Sequence, residues 1–405
     1  MNDASAQAVE TCHEHIWAHF YHPDTLMFYD YAWGREGWAY LPTANEIARR
    51  LPNRAGWGTG MENPALNASQ YLPALLLRHT LARHHLLDDA PAASRARQLF
   101  AGLRRLLAVA REPGFLPRGL ALDGVSHYPN SSIDQYTMLF YALWHYFHSP
   151  LCTPADQQAI KTIWHNILTR WERSNWEDRT EDGQPAWYGD IGALQPDRGC
   201  RLLAALHAGA ALTGESHWDE LYAQKRAKAD GYRLRAALSP SWPLYVYDQN
   251  QVAWRLLAET EPDDALRAHY RQRMAETAAA VRDRLLVYRQ FDPAEHARLL
   301  ASSQWDWRQA VDPPGQPQTT LEQVRAYNVR LRALAPVISY EHRFVQEPFE
   351  AAHVLLLSGD AASLDTLREH LPDLFAVYPY DKLVLSWSVY EVEWVYWLAV
   401  EAGLL

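Results

Sequence analysis

Six times along the chain, a helix-length segment rich in Arg, Glu or Gln is followed by one that is almost wholly apolar, and this alternation constrains the fold more than any motif. The amphipathic segments lie near 4–20, 92–110, 154–174, 216–236, 264–286 and 360–371, each with one side suited to solvent. The apolar segments lie near 65–83, 131–148, 197–213, 247–258, 347–358 and 385–403, and are rich in small or aromatic residues, as in Leu202-Leu203-Ala204-Ala205-Leu206. A helix that is apolar all round needs cover on every side. Helical hairpins closed into a double ring provide it, which predicts an all-α fold, an (α/α)6 barrel. Thr153-Pro154-Ala155-Asp156 reads as a capped helix start, and Ser216 precedes another. No Gly-, Ser- or Pro-built linker divides the 405 residues, so a single domain is expected over 1–405, with an elaborated stretch at about 288–346 that reads as a lid or a loop/helical insertion.

The links sharpen this expectation. Those from an inner to the next outer helix are short, such as Thr213-Gly214-Glu215, whereas most links back are long and aromatic. All inner helices then run one way, with their N-termini and the long loops at one mouth, where binding and chemistry concentrate. Composition excludes several partners. The net charge of −10, without long runs of one sign, argues against nucleic acid or an anionic bilayer. No apolar run approaches a membrane span, and no basic leader with an apolar stretch opens the chain. Cys12, Cys152 and Cys200 are odd in number and far apart, which suits a reducing, cytoplasmic setting.

The 17 Trp and 22 Tyr outnumber the 10 Phe, favouring rings that stack on sugar faces while offering a polar handle. The mouth loops place such rings among carboxylates: Phe28-Tyr29-Asp30-Tyr31, Gly56-Trp57-Gly58-Thr59-Gly60-Met61-Glu62-Asn63, and Tyr128 to Asp134-Gln135. Two acids flanked by flat walls are what cleavage of a glycosidic bond requires, one to protonate the leaving oxygen and one to activate water. Glu62 and Asp134 form the best pair, since neighbouring inner-helix starts lie about 10 Å apart, with Asn63-Pro64 and Ser131-Ser132 as cap signals. Asp190, Asp248 and Glu347 are the reserve acids. Arg118, Arg198 and Arg343 suit a substrate carboxylate, hence a uronic acid, and His127 and His342 suit proton transfer or hydroxyl binding. Trp33, Trp57, Trp187, Trp242 and Trp305 are stacking candidates, with Tyr128 and Gln135 also at the mouth. No cofactor is indicated, and metal binding is not expected: His13-Glu14-His15 and His84-His85 lack a third ligand at helical spacing and read as solvated.

The six-hairpin organisation and the acid-plus-aromatic mouth resemble the six-hairpin glycosidase superfamily, with unsaturated glucuronyl hydrolases the nearest comparison in size. Gly60-Met61-Glu62-Asn63 is similar to the Gly-Met-Asp-Asn element that supplies the general acid in some members, with Glu in place of Asp and in a different hairpin. The resemblance spans the whole chain as architecture and implies an oligosaccharide substrate and a general-acid role for Glu62. Three other readings use the same barrel. A sugar epimerase or isomerase is one, since Glu391-Val392-Glu393-Trp394 resembles the end of the acylglucosamine 2-epimerases. The others are a polysaccharide lyase with Tyr128 or His127 as base, and a sugar-binding protein without catalysis.

Overall fold

The computed structural model describes residues 3–32, 38–84, 90–192, 194, 199–230 and 242–405. It is mostly helical. The helices, in chain order, are α1 (Asp3–His19), α2 (Ala44–Ala48), α3 (Pro64–His84), α4 (Ala90–Val109), α5 (Ile133–His148), α6 (Pro154–Arg173), α7 (Gly199–Thr213) and α8 (Ser216–Asp230). They continue with α9 (Leu244–Thr260), α10 (Asp264–Val281), α11 (Pro293–Ser302), α12 (Leu321–Leu334), α13 (Pro336–Glu341), α14 (Glu347–Ser358), α15 (Ala361–Ala376) and α16 (Trp387–Glu401). Among the described residues, sheet is confined to two antiparallel two-stranded hairpins, Tyr21–His22 with Met27–Phe28 and Glu177–Arg179 with Pro185–Asp190.

Local chemistry sets the helix ends. Thr153 and Asp156 form the predicted capping box with Pro154 in the first turn of α6. Asp263 and Asp360 cap α10 and α15, and Gly359, at φ +64°, ends α14 in the left-handed conformation. Two expected caps differ. Ser132 stands at the N-cap of α5 but its hydroxyl makes no cap bond. Asn63 turns its amide oxygen to Arg118 and Gln135 instead of capping α3. The first-turn N–H groups of α3 go elsewhere, that of Ala65 to the carbonyl of Arg118 and that of Leu66 to the side chain of Gln135, while the carboxylate of Asp30, far away in sequence, accepts from the N–H groups of Glu62 and Asn63 just before the helix.

The apolar helices contact one another in sequence. α3 packs on α5, α5 on α7, α7 on α9, α9 on α14, α14 on α16, and α16 on α3 again. The amphipathic helices lie against them: α4 on α3, α6 on α5 and α7, α8 on α7, α10 on α9 and α14, α15 on α14, and α1 on α16. At Gly209 of α7, an added Cβ would collide with Leu168 and Trp164 of α6, so this glycine permits the close approach that lets Trp164 donate to the carbonyl of Ala205 (2.9 Å). One apolar core runs from Val9 to Ala399. Within 288–346, Trp307, Ala310, Val311, Tyr327 and Leu331 form a second, smaller cluster with Leu51. Trp307 therefore packs inside rather than lining a cleft, and its indole N–H donates to the carbonyl of Tyr40. Buried Glu341 of α13 accepts from His296 and from the backbone N–H groups of Val384 and Leu385, tying this stretch to the start of α16.

His13 and His15 are not solvated as expected. Both are buried, and His13 hydrogen-bonds Tyr71 and Glu393 at 2.7 Å each. They point different ways from α1: His13 meets Glu393 of α16 and Tyr71 of α3, whereas His15 bonds the carbonyl of Leu383 ahead of α16 (2.7 Å), so each satisfies a separate buried polar group. His85 lies outside the described residues. No helix among the described residues is long and apolar enough to cross a membrane.

Candidate active site

A cavity of about 610 Å³ opens where α3, α5, α7, α9, α14 and α16 begin, a size typical of small-molecule sites. Its upper wall carries Glu62, Asp30, Asp134, Arg118 and Arg201, and its lining also includes Asp248, Glu350, Gln70, Gln249 and Gln346. Residues of the 288–346 stretch, among them Trp305, Asn328, Arg332 and His342, line it as well. His342 and Gln346 sit on a π-type turn, His342–Gln346, that leads into α14 and directs both side chains to the cavity.

Glu62 is part-buried just before α3, and its carboxylate accepts from the backbone N–H of Gly58 (3.0 Å). Gly58 is at φ +83°, and a Cβ there would run into Leu331 and Tyr327, so only glycine brings this N–H to the carboxylate. Burial pushes the Glu62 carboxyl above its ordinary range, against the pull of Arg118 and the Gly58 N–H. Asp30 is buried, holds Asn67 as well as the start of α3, and is raised well above the usual carboxylate range by burial and by the charge of Glu62. Arg118 spans the pair. Its Nε donates to the carbonyl of Glu62 (2.6 Å) and Nη2 to Asn63 (3.2 Å), while Nη1 is buried with no hydrogen-bond partner. Asp134, in the first turn of α5 with its side chain 32% exposed, is paired with Arg201 at 2.8 Å. Arg201 in turn donates to Asn250 (3.1 Å).

Deeper in, Asp248 accepts or shares a proton with His353 at 2.6 Å, Glu350 accepts from Gln346 at 2.7 Å, and Glu391 accepts from Gln70 at 3.1 Å. Burial and the charge of Asp248 push both Glu350 and Glu391 well above the usual carboxylate range. The aromatic wall is made by Tyr31 against Trp305 (centroids 4.0 Å apart), Tyr245, Trp387 and Trp57. Trp187 stands behind Trp57 (5.2 Å) with the Arg54 guanidinium over its ring at 4.5 Å, and supports the wall without lining it.

Of the acids expected from sequence, Glu62, Asp134 and Asp248 meet in this cavity, together with Trp57, Arg118, Trp305 and His342. Burial lowers the His342 imidazole pKa, keeping it neutral more readily than an exposed histidine. The others do not line it. Asp190 is exposed on the second β-hairpin, and Glu347 is paired with Arg284 (3.2 Å), because the first turn of α14 presents Gln346 and Glu350 instead. Arg343 is exposed over Phe344, on the side of its turn away from His342. His127 is tied between the carbonyl of Val125 and Glu181. Tyr128 is buried with its hydroxyl on the carbonyl of Leu51. Gln135 is buried between α3 and α5, accepting from the Leu66 N–H (2.9 Å) and donating to Asn63 (3.1 Å), so it fixes the two helix starts to each other. Trp242 packs half-buried against the core, its carbonyl taken by Arg284. Trp33 and Arg198 lie outside the described residues.

Sequence reasoning passed over Asp30 as a site residue, and it missed Arg201, Glu350, His353 and the inward role of Glu391. A signal existed for the last three: each is a titratable residue inside an otherwise apolar helix, and such groups are rarely buried without a partner or a task. No protein-family model, curated protein or solved structure matches this chain.

Proposed function

We propose that the chain is a single-domain (α/α)6 barrel that hydrolyses a terminal sugar from an oligosaccharide, with Glu62 as general acid and Asp134 as the base that activates water. The observation that carries this reading is the pairing, in one aromatic-walled cavity, of a carboxyl raised by burial with one held by an arginine at the start of the neighbouring helix. A carboxyl raised by burial is suited to donating a proton near neutral pH. The cycle of contacts among the six apolar helices, returning from α16 to α3, supports the barrel. The 288–346 stretch serves as a partial lid through Trp305 and His342. A uronic acid is the favoured sugar: among the described residues the buried Nη1 of Arg118 has no hydrogen-bond partner, and Arg332 lines the same cavity. The cysteine count, three in 405 residues and so odd, supports action in a reducing, cytoplasmic compartment.

In the reaction, Glu62 protonates the glycosidic oxygen as the bond breaks, while Asp134 takes a proton from the water that attacks the sugar carbon. Tyr31 and Trp305 offer a flat face to the ring, and Arg118 holds its carboxylate. The lyase reading loses its bases, since neither Tyr128 nor His127 lines the cavity. An epimerase or isomerase remains the second reading, favoured by the neutral-leaning imidazole of His342 at the cavity wall. The test is a screen of chromogenic glycosides and unsaturated uronyl disaccharides, following dye release and loss of ultraviolet absorbance. Turnover that falls about 10²–10⁴-fold in Glu62→Gln and in Asp134→Asn, with folding intact, is the expected result. Sugar binding without turnover, a rearranged sugar as product, or full activity in both variants would overturn it.

A further inference from the structure

We propose that the floor of the cavity binds one divalent transition-metal cation, with Asp248, His353 and Glu391 as its ligands. These three side chains come from α9, α14 and α16, are all buried, and bring one donor atom each within 4.8 Å of the others. Nδ1 of His353 lies 2.6 Å from Oδ1 of Asp248 and 3.4 Å from Oε2 of Glu391. Donors sharing a zinc ion at about 2.0–2.2 Å lie roughly 3–3.5 Å apart, so the His353–Glu391 spacing already suits a shared ion, while the Asp248 carboxylate has to draw back from the imidazole to admit one.

One donor atom is also short of a partner. Among the described residues, Oε2 of Glu391, with its residue 1% exposed, accepts no hydrogen bond, although its other oxygen is held by Gln70. Among the described residues, no arginine or lysine is ion-paired with Asp248, Glu350 or Glu391; His353 is in contact with Asp248 and Glu391, and Arg284 acts on Glu350 only from a distance. A buried cluster of this charge is stable only with protons or a cation among its members. A divalent ion on two carboxylates and a neutral imidazole leaves no net charge, and its binding displaces the proton that Asp248 and His353 share. Glu350 and His353 stand three residues apart on one face of α14, the Glu-x-x-His spacing by which inward-facing helices hold metal ions. Glu350 thus supplies a third carboxylate beside the site, a fourth side chain able to ligate. The imidazole points to zinc or manganese over calcium or magnesium, which favour all-oxygen shells. Asp248 lines the cavity, so the cation has one side toward the substrate space.

This inference stands apart from the hydrolase reading, because its readout is metal content and not turnover. The untagged full chain, stripped with dipicolinate, is titrated with zinc chloride and with manganese chloride against a chromophoric chelator. One equivalent of either metal per chain is expected, with affinity lowered at least roughly 100-fold in Asp248→Asn and in His353→Gln, since even residues that only orient ligands change affinity by about 10–100-fold. If the variants do not fold, the wild-type chain alone decides, through its stoichiometry and a melting temperature that rises with added metal. Uptake below one-tenth of an equivalent for both metals overturns the proposal. So does stoichiometric uptake that folded Asp248→Asn and His353→Gln retain unchanged.

Discussion

Glu391 and Glu393 are two residues apart on α16, are equally buried, and live in opposite electrostatic worlds. Glu393 faces α1 and α3, where His13, Arg78 and Tyr71 converge on it. Burial pushes its carboxyl up, yet these partners outweigh burial and bring it down to about 2. Glu391 faces the cavity floor, where burial is joined by the like charges of Asp248 and Glu350 and its carboxyl is driven well up. The difference teaches that burial alone does not decide the state of an acid in this protein. What decides it is whether cations or other acids share the pocket. The first arrangement fastens helices together; the second stores chemistry that the fold itself does not use.

The largest effect is expected at the fastened end. Glu393→Ala leaves Arg78 and His13 buried without their partner and should lower the unfolding free energy by about 3–5 kcal/mol in urea titrations; a loss below about 1 kcal/mol would break the contrast. Next comes acid. Because Glu393 is depressed to about 2 from an ordinary value of 4.5, its contribution is complete above about pH 4.5 and disappears as pH falls toward about 2, amounting to about 3 kcal/mol. Glu393→Gln should flatten the stability profile in that window. Glu391 carries the opposite sign: a raised carboxyl costs the fold stability as pH climbs from its unfolded value toward its folded one. The smallest effect follows from this. In metal-free protein at neutral pH, Glu391→Gln should change stability by less than about 1 kcal/mol, or raise it, since the amide can still accept from Gln70 without the repulsion. Strong destabilisation by that substitution would show that the floor cluster is structural after all.

The amphipathic and apolar segments expected from periodicity coincide closely with the helices. The expected 154–174 and 197–213 are α6 and α7, and 347–358 is α14 to the residue. The amphipathic run near 264–286 divides, with α10 ending at Val281 and a tighter 3₁₀ segment continuing through Arg282–Gln290. The Gly60-Met61-Glu62-Asn63 motif does stand directly before an apolar helix, as its proline predicted. The cap signals were less transferable. Asn63 and Ser132 have the right side chains in the right places, but competing partners took one and left the other unbonded.

Helix identity and the division into wet and dry faces were set by the sequence itself, because both depend on contacts within a few residues and on the burial of the nearest apolar side chains. Which acids meet was a matter for the tertiary structure alone. Glu391 is held by Gln70 across 321 positions and Glu62 is anchored by Asp30 across 32, and no local pattern encodes such encounters. Charge state follows from those encounters, since a carboxylate's proton affinity is fixed by its neighbours in space and by the water they exclude.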